Sequence, residues 1–110
     1  MDLKKAKEKI LDMSYYLDEV LKKGDKRGFK NPNVFANLQL AKKESDSFRT
    51  IDYKFFMIIN DRINTIFSQL KSKDYPKKNI NKIKRNIESL YDFLILKFDK
   101  AEKQGELAFQ

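Results

Sequence analysis

Residues 80–101 of the chain read INKIKRNIESLYDFLILKFDKA. Apolar side chains recur in this stretch every three or four residues, at Ile80, Ile83, Ile87, Leu90, Leu94, Phe98 and Ala101. This spacing is the period of an α-helix with one apolar face. Pro76 suits the first position of a helix and Gly105 favours its end, so we predict a last helix over about 76–104. A helix with such a face needs other helices to cover it.

The N-terminal part has the same period. Its apolar positions are Leu3, Ala6, Ile10, Met13, Leu17 and Val20. Asp2 can cap the start of this helix and Gly24 can close its end, which predicts a first helix over about 2–23. Residues 24–33 hold two of the three glycines and one of the two prolines, and are predicted to form a loop.

The middle of the chain, residues 34–73, contains neither glycine nor proline. Its apolar positions form two stripes, one at Val34, Leu38, Ala41 and Phe48, and the other at Phe55, Ile59, Ile63, Ile66 and Leu70. One helix of about 40 residues would accommodate both stripes. We predict a break near residues 47–52 instead, because short polar side chains such as Ser47 and Asp52 favour helix caps over helix interiors.

These helices predict an all-α fold, an antiparallel four-helix bundle, with a three-helix bundle built on a long middle helix as the alternative. The 110 residues fit a single domain, 1–110, and 41% of them are hydrophobic, which supplies one core. Scarce glycine and proline leave few turns for a many-stranded β fold.

The composition argues against an enzyme. The chain has no histidine, the usual general base near neutral pH, and no cysteine to act as a thiolate nucleophile. No motif for binding a nucleotide or calcium is present. We therefore expect no catalytic residues, no cofactor, no metal site and no small-molecule substrate.

The net charge of +8 predicts an acidic partner surface. One basic segment spans the predicted turn between the last two helices, with Lys71, Lys73, Lys77, Lys78, Lys82, Lys84 and Arg85. A second lies at the loop after the first helix, with Lys22, Lys23, Lys26, Arg27 and Lys30. In an antiparallel bundle both reach the same end, where they would face nucleic acid or anionic headgroups. The alternative is that lysine-rich turns only keep a bundle soluble. Our candidate contact residues are Lys77, Lys78, Lys82 and Arg85.

The last two helices are more apolar than a single buried stripe requires. Seven of the nine residues in 90–98 are apolar, as are all of residues 55–59. Either these helices form the centre of the bundle, or part of their surface binds a partner through Phe56, Phe93 or Leu96. Arg62 lies beside the apolar stripe and could pair with Glu88 or Asp92 across the hairpin. Arg62 and Phe93 are our candidates for a protein contact.

The longest apolar run is residues 55–59, much shorter than the ~20 residues of a membrane span. The N-terminus lacks the apolar core of a signal peptide. We expect a cytoplasmic protein, with a peripheral position at the inner membrane face as the alternative.

The second half of the chain resembles the immunity proteins of class IIa (pediocin-like) bacteriocins. Arg62-Ile63-Asn64 is similar to the Arg-hydrophobic-Asn that this family often carries in its third helix, and Tyr75-Pro76 is similar to the hydrophobic-Pro pair that begins its fourth. The segment 24–52 is longer and more charged than is usual in the family. The resemblance implies a cytosolic four-helix bundle that recognises a bacteriocin-occupied sugar permease from the cytoplasmic side, with specificity in the second half.

A shorter resemblance concerns the flagellin export chaperones. Asn86, the run Leu90-Tyr91-Asp92-Phe93 and Ala101 are similar to a stretch near the end of that family's bundle. The family's N-terminal signature is absent here.

Together these features predict a non-enzymatic binding or immunity protein that protects or inhibits by docking a protein partner, with a membrane-embedded receptor as the leading case. The alternatives are a basic accessory protein that binds nucleic acid and a phage-encoded inhibitor of a host enzyme. Salt dependence separates these classes, because contacts with phosphates weaken steeply as salt rises.

Overall fold

The computed structural model describes residues 2–72 and 80–109. It is a four-helix bundle, 43 × 22 × 19 Å, with all regular structure of the described residues in helices. The helices are α1 (Leu3–Arg27), α2 (Pro32–Ser45), α3 (Tyr53–Leu70) and α4 (Ile80–Gln104). Short 3-10 turns cover Asp46–Phe48 and Gly105–Phe109. The predicted all-α four-helix fold is confirmed.

The helices run antiparallel to their neighbours, as three pairs of contacts demonstrate. Lys84 bonds Asp25 and Lys7 bonds Glu102, which join the opposite ends of α1 and α4. Lys9 bonds Glu44 on α2, and the side chain of Asn31 donates to the backbone of Lys23. Asn86 donates to Gln69, while Lys97 bonds Asp52 at the other end of the α3–α4 pair.

The predicted break in the middle segment is confirmed, so residues 34–73 do not form one long helix. Helix α2 ends at Ser45, and α3 begins after Asp52. The Asp52 side chain accepts a hydrogen bond from the backbone N–H of Phe55 at 3.1 Å, which satisfies a free amide in the first turn of α3. The same kind of cap starts α1, where Asp2 accepts from Lys5, and α2, where Asn31 accepts from Val34.

The predicted end of the first helix was wrong by four residues. Gly24 lies inside α1, which continues to Arg27 and stops at Gly28, whose φ is +86°. The ring of Phe29 folds back over Gly24, and a Cβ atom at Gly24 would lie 2.2 Å from the ring. Gly24 therefore serves close packing, and the positive φ that ends the helix falls on Gly28. The predicted start of the last helix at Pro76 lies outside the described residues.

One continuous hydrophobic core fills the space between the helices. Its fully buried members come from all four helices and from the α1–α2 and α2–α3 connections. The largest are Ile10, Met13, Leu17, Phe29, Leu38, Phe48, Ile59, Ile63, Ile66, Leu70, Ile83 and Ile87. The C-terminal turn also belongs to this core: Phe109 is buried and stacks on Phe48 with 5.9 Å between ring centroids. Leu107 beside it is exposed.

Candidate partner-binding surfaces

Two of the predicted contact residues, Arg62 and Phe93, come together across α3 and α4. The guanidinium carbon of Arg62 lies 5.1 Å from the centroid of the Phe93 ring. Arg62 also donates a hydrogen bond of 3.4 Å to Oγ of Ser89. The expected ion pair with Glu88 or Asp92 does not form, since no carboxylate of the described residues lies within 4.0 Å of Arg62. Arg62 thus keeps its charge available at the surface.

A groove runs along the seam between α3 and α4, and Arg62 lies near its middle. It consists of three depressions that share lining residues: Arg62 and Ser89 join the first to the second, and Phe93 and Leu96 join the second to the third. We call it the α3–α4 groove. From α3 it is lined by Lys54, Phe55, Ile58, Asp61, Arg62 and Thr65, and from α4 by Arg85, Asn86, Glu88, Ser89, Asp92, Phe93, Leu96, Lys97 and Lys100. Asp52 and Ala108 also line its apolar end.

One half of the groove is apolar. Phe55, Ile58, Phe93 and Leu96 line it, and we call this part the apolar half. Leu96 is 68% exposed, the largest exposed fraction among the large hydrophobic side chains of the described residues. Ile58 and Phe93 are half-buried. Of the three residues predicted for exposure, Leu96 is fully at the surface and Phe93 is partly so.

The predicted exposure of Phe56 was wrong, because its side chain is 5% exposed. The guanidinium of Arg49 lies 4.6 Å from the Phe56 ring centroid, and the ring of Tyr53 packs on it at 5.9 Å. Arg49 precedes α3, and the turn that brings it over Phe56 is set by the break before α3. The spacing of apolar residues within α3 does not predict that Arg49, from outside the helix, covers the Phe56 ring.

The charges around the apolar half are unequal. Lys54 on α3 and Lys100 on α4 are exposed, and neither has a carboxylate within 4.0 Å in residues 2–72 and 80–109. Lys97 is different, since its amino group lies 2.7 Å from Oδ2 of Asp52 and also donates to the carbonyl oxygen of Ala108. Asp52 is 8% exposed and its charge is balanced by Lys97. The apolar half therefore has two unpaired positive charges at its rim.

The second candidate surface is the end of the bundle where α1 finishes and α4 begins. Nine basic residues of the described chain gather there, and two of them form ion pairs with acids, Lys84 with Asp25 and Lys22 with Asp18. We call this surface the basic pole; its members are Lys22, Lys23, Lys26, Arg27, Lys30, Lys71, Lys82, Lys84 and Arg85. The ion pair between Lys84 and Asp25, at 2.7 Å, holds the two predicted basic segments together.

Lys82 and Arg85 of our predicted set are exposed members of the basic pole, whereas Lys77 and Lys78 lie outside the described residues. Two lysines there are tied to acids. A hydrogen bond to Asp25, strengthened by its charge, raises the pKa of Lys84, and the same arrangement with Asp18 raises the pKa of Lys22.

No cluster of three or more carboxylates in the described residues could hold a metal ion. No helix within them is both long and apolar enough to cross a bilayer. Comparison with protein-family models, with curated proteins and with solved structures finds no match to this chain.

Sequence reasoning missed several residues of the α3–α4 groove, among them Lys54, Ile58 and Lys100. A signal for them exists, because Lys54, Ile58 and Arg62 recur at intervals of four and so share one side of α3. On α4, Phe93, Leu96 and Lys100 are spaced in the same helical way. That these two stripes face each other follows only from how the helices pack.

Proposed function

We propose that this chain is a non-enzymatic binding protein that docks a protein partner through the α3–α4 groove. The observation that carries the proposal is Leu96, a large apolar side chain at 68% exposure beside half-buried Ile58 and Phe93. Exposed apolar side chains in a recess with a polar rim are typical of protein-binding sites. Arg62 stacked on Phe93 adds a residue type that is enriched at the energetic centre of interfaces.

The more specific form of the proposal is immunity or inhibition by occupancy. A rigid bundle would dock on a receptor embedded in the membrane, at its cytoplasmic face, and block it. The resemblance to class IIa bacteriocin immunity proteins supports this form, because Arg62 of the resembling motif lines the groove. In this arrangement the basic pole would steer the protein to anionic headgroups, through residues such as Lys82 and Arg85.

Site-specific photo-crosslinking tests the docking proposal. A photoreactive phenylalanine analogue is placed at Leu96, and as a control at Tyr15, which is 60% exposed on α1. Both variants are expressed in a bacterial strain sensitive to a class IIa bacteriocin. We expect one discrete protein adduct from position 96, none from position 15, and loss of the adduct when Arg62→Glu is added. Equal labelling from both positions, or none from position 96, would contradict the proposal.

The same strain tests the immunity form. Expression of the wild-type chain should let cells grow in a bacteriocin concentration that kills the parent, and Leu96→Glu should abolish this growth. If the bacteriocin kills cells equally with and without the chain, the immunity form of the proposal is rejected. The docking proposal is then judged by the crosslinking experiment.

The basic pole supports a second candidate, binding to the phosphate backbone of nucleic acid. Seven of its nine members are lysines, which act as point charges and do not read bases. The test is a titration with random duplex and single-stranded nucleic acid at about 50 and 200 mM salt. Tight binding that collapses with salt, and that Lys82→Glu with Arg85→Glu removes, would favour this function. Absence of binding at low salt would exclude it.

A further inference from the structure

The apolar half of the α3–α4 groove has positive charges at its rim, which favour a negatively charged occupant. Lys54 stands on the α3 side and Lys100 on the α4 side, with Ile58, Phe93 and Leu96 also lining this part of the groove. Neither lysine is engaged by an acid of the described residues. An occupant that places a carboxylate at the rim would therefore gain a charge pair without breaking an existing one.

The one acid of this part of the groove does not oppose such an occupant. The carboxylate of Asp52 makes two interactions: one oxygen caps α3 and the other pairs with Lys97. Lys97 is itself held between the rings of Phe55 and Phe109, at 4.9 and 5.0 Å from their centroids. The pair is thus fixed and electrically balanced, so the net charge of the apolar half comes from Lys54 and Lys100.

The dimensions of the groove suit a helix. Its α3 wall extends from Lys54 to Thr65, which at ~1.5 Å per residue is a length of about 16 Å. That length covers about three turns, enough for apolar anchors at positions i, i+4 and i+7 of a bound helix. A bilayer surface is a poorer fit, since Ile58 and Phe93 lie half-buried between two helices and do not project.

A second copy of this chain is also a poor occupant. Each of its four helices carries a net positive charge. A helix of that charge would meet Lys54 and Lys100 with repulsion.

From this charge and shape we infer that the occupant of the α3–α4 groove is an amphipathic helix of a partner protein, with apolar anchors on one face and acidic residues beside them. The inference rests on the proposed docking function and adds the chemistry of the partner. The apolar anchors would cover Ile58, Phe93 and Leu96, and the acids would pair with Lys54 and Lys100.

Selection from a random peptide library tests this inference. Displayed peptides of about sixteen residues, long enough for four helical turns, are selected on the purified full-length protein. The enriched peptides are then synthesised, and their affinity is measured by fluorescence anisotropy for the wild type and three variants. The variants are Leu96→Glu, the rim pair Lys54→Glu with Lys100→Glu, and a control pair, Lys4→Glu with Lys43→Glu. Both control lysines are exposed, lie outside the groove and have no acid partner in the described residues, so both pairs change the net charge equally.

We expect enriched peptides that combine apolar residues at helical spacing with Asp or Glu. Their affinity should fall at least about tenfold for Leu96→Glu and for the rim pair, and less than about threefold for the control pair. If the peptides bind Leu96→Glu more weakly than the wild type but bind the rim-pair variant equally well, the partner helix need not be acidic. That result would overturn this inference and leave the docking proposal in place. Peptides indifferent to Leu96→Glu would overturn this inference and count against the groove. If no peptide is enriched, the inference of an acidic partner helix is overturned. The docking proposal is then judged by the photo-crosslinking experiment alone.

Discussion

The amino group of Lys97 lies 2.7 Å from Oδ2 of Asp52, and these residues are 45 positions apart in the chain. Their side chains are only 13% and 6% exposed. Asp52 also caps α3, and Lys97 also donates to the carbonyl oxygen of Ala108 in the C-terminal turn. One largely buried lysine side chain thus joins the start of α3, the last third of α4 and the C-terminal turn.

Removing Lys97 should therefore destabilise the fold. In Lys97→Met the carboxylate of Asp52 would be buried without a counter-charge, and we expect a loss of about 3 kcal/mol in the free energy of unfolding. The double variant Lys97→Met with Asp52→Asn should recover part of this loss, because asparagine still caps a helix and carries no charge. Urea unfolding followed by circular dichroism measures both. A double variant no more stable than Lys97→Met alone would refute the role of the pair.

The C-terminal turn offers a matched pair of substitutions. Phe109→Ala removes a ring that is 3% exposed and stacks on Phe48, so we expect a loss of about 3 kcal/mol. Leu107→Ala, two residues earlier, removes a side chain that is 64% exposed and should change stability by less than about 0.5 kcal/mol. Thermal melts of the two proteins give the comparison. Equal losses would mean that the turn does not pack as described.

The substitution Gly24→Ala should lower the stability of the protein, although replacing a glycine inside a helix by alanine usually raises it. Alanine normally stabilises such a position by about 1 kcal/mol. Here its Cβ would meet the buried ring of Phe29 at 2.2 Å, so we expect Gly24→Ala to destabilise the protein. In a Phe29→Ala background the space is open, and Gly24→Ala should become stabilising. Chemical denaturation of the four proteins measures this sign change; the same sign in both backgrounds would contradict it.

Leu96→Glu should leave the fold intact, which makes it usable in the binding experiments. Leu96 is 68% exposed, and we expect less than about 0.5 kcal/mol of change. Leu94→Glu, two residues away, would place a charge at a position that is 1% exposed and should prevent folding. Circular dichroism spectra and melting curves separate the two. A large loss of stability in Leu96→Glu would make its binding defects uninterpretable and would contradict its exposure.

The Lys84–Asp25 pair predicts a dependence of stability on pH. The pKa of Lys84 is raised above its ordinary value of 10.5 in the folded state by its hydrogen bond to Asp25. A raised pKa of a lysine contributes stability that is fully present below 10.5 and is lost as pH rises through the folded value. The wild type should exceed Lys84→Gln in stability at about pH 8, and this difference should shrink by about pH 11.5. A constant difference would assign the effect to packing of the side chain.

Much of the fold was predictable because it depends on short-range periodicity. The stripe from Ile80 to Ala101 and the stripe from Leu3 to Val20 each bury one face of one helix, and those faces form the core. The break before α3 was predictable for the same reason, since Asp52 caps the helix by a bond to an amide three residues away. The end of α1 was not predictable, because Gly24 is needed by the ring of Phe29, five residues later in the chain, and not by its own backbone.

The sequence by itself determined the helices, their apolar faces, the excess of positive charge and the absence of histidine and cysteine. These properties belong to single residues or to neighbours within one or two turns, which a periodic pattern reports directly. Only the tertiary structure decided which surface stripes meet. It placed Arg62 on Phe93, covered Phe56 with Arg49 and paired Lys97 with Asp52. It also left Lys54 and Lys100, beside Leu96, without an acid partner among the described residues. Those relationships depend on the rotation and offset of whole helices, which are set by packing of the entire core and are not encoded in any one segment.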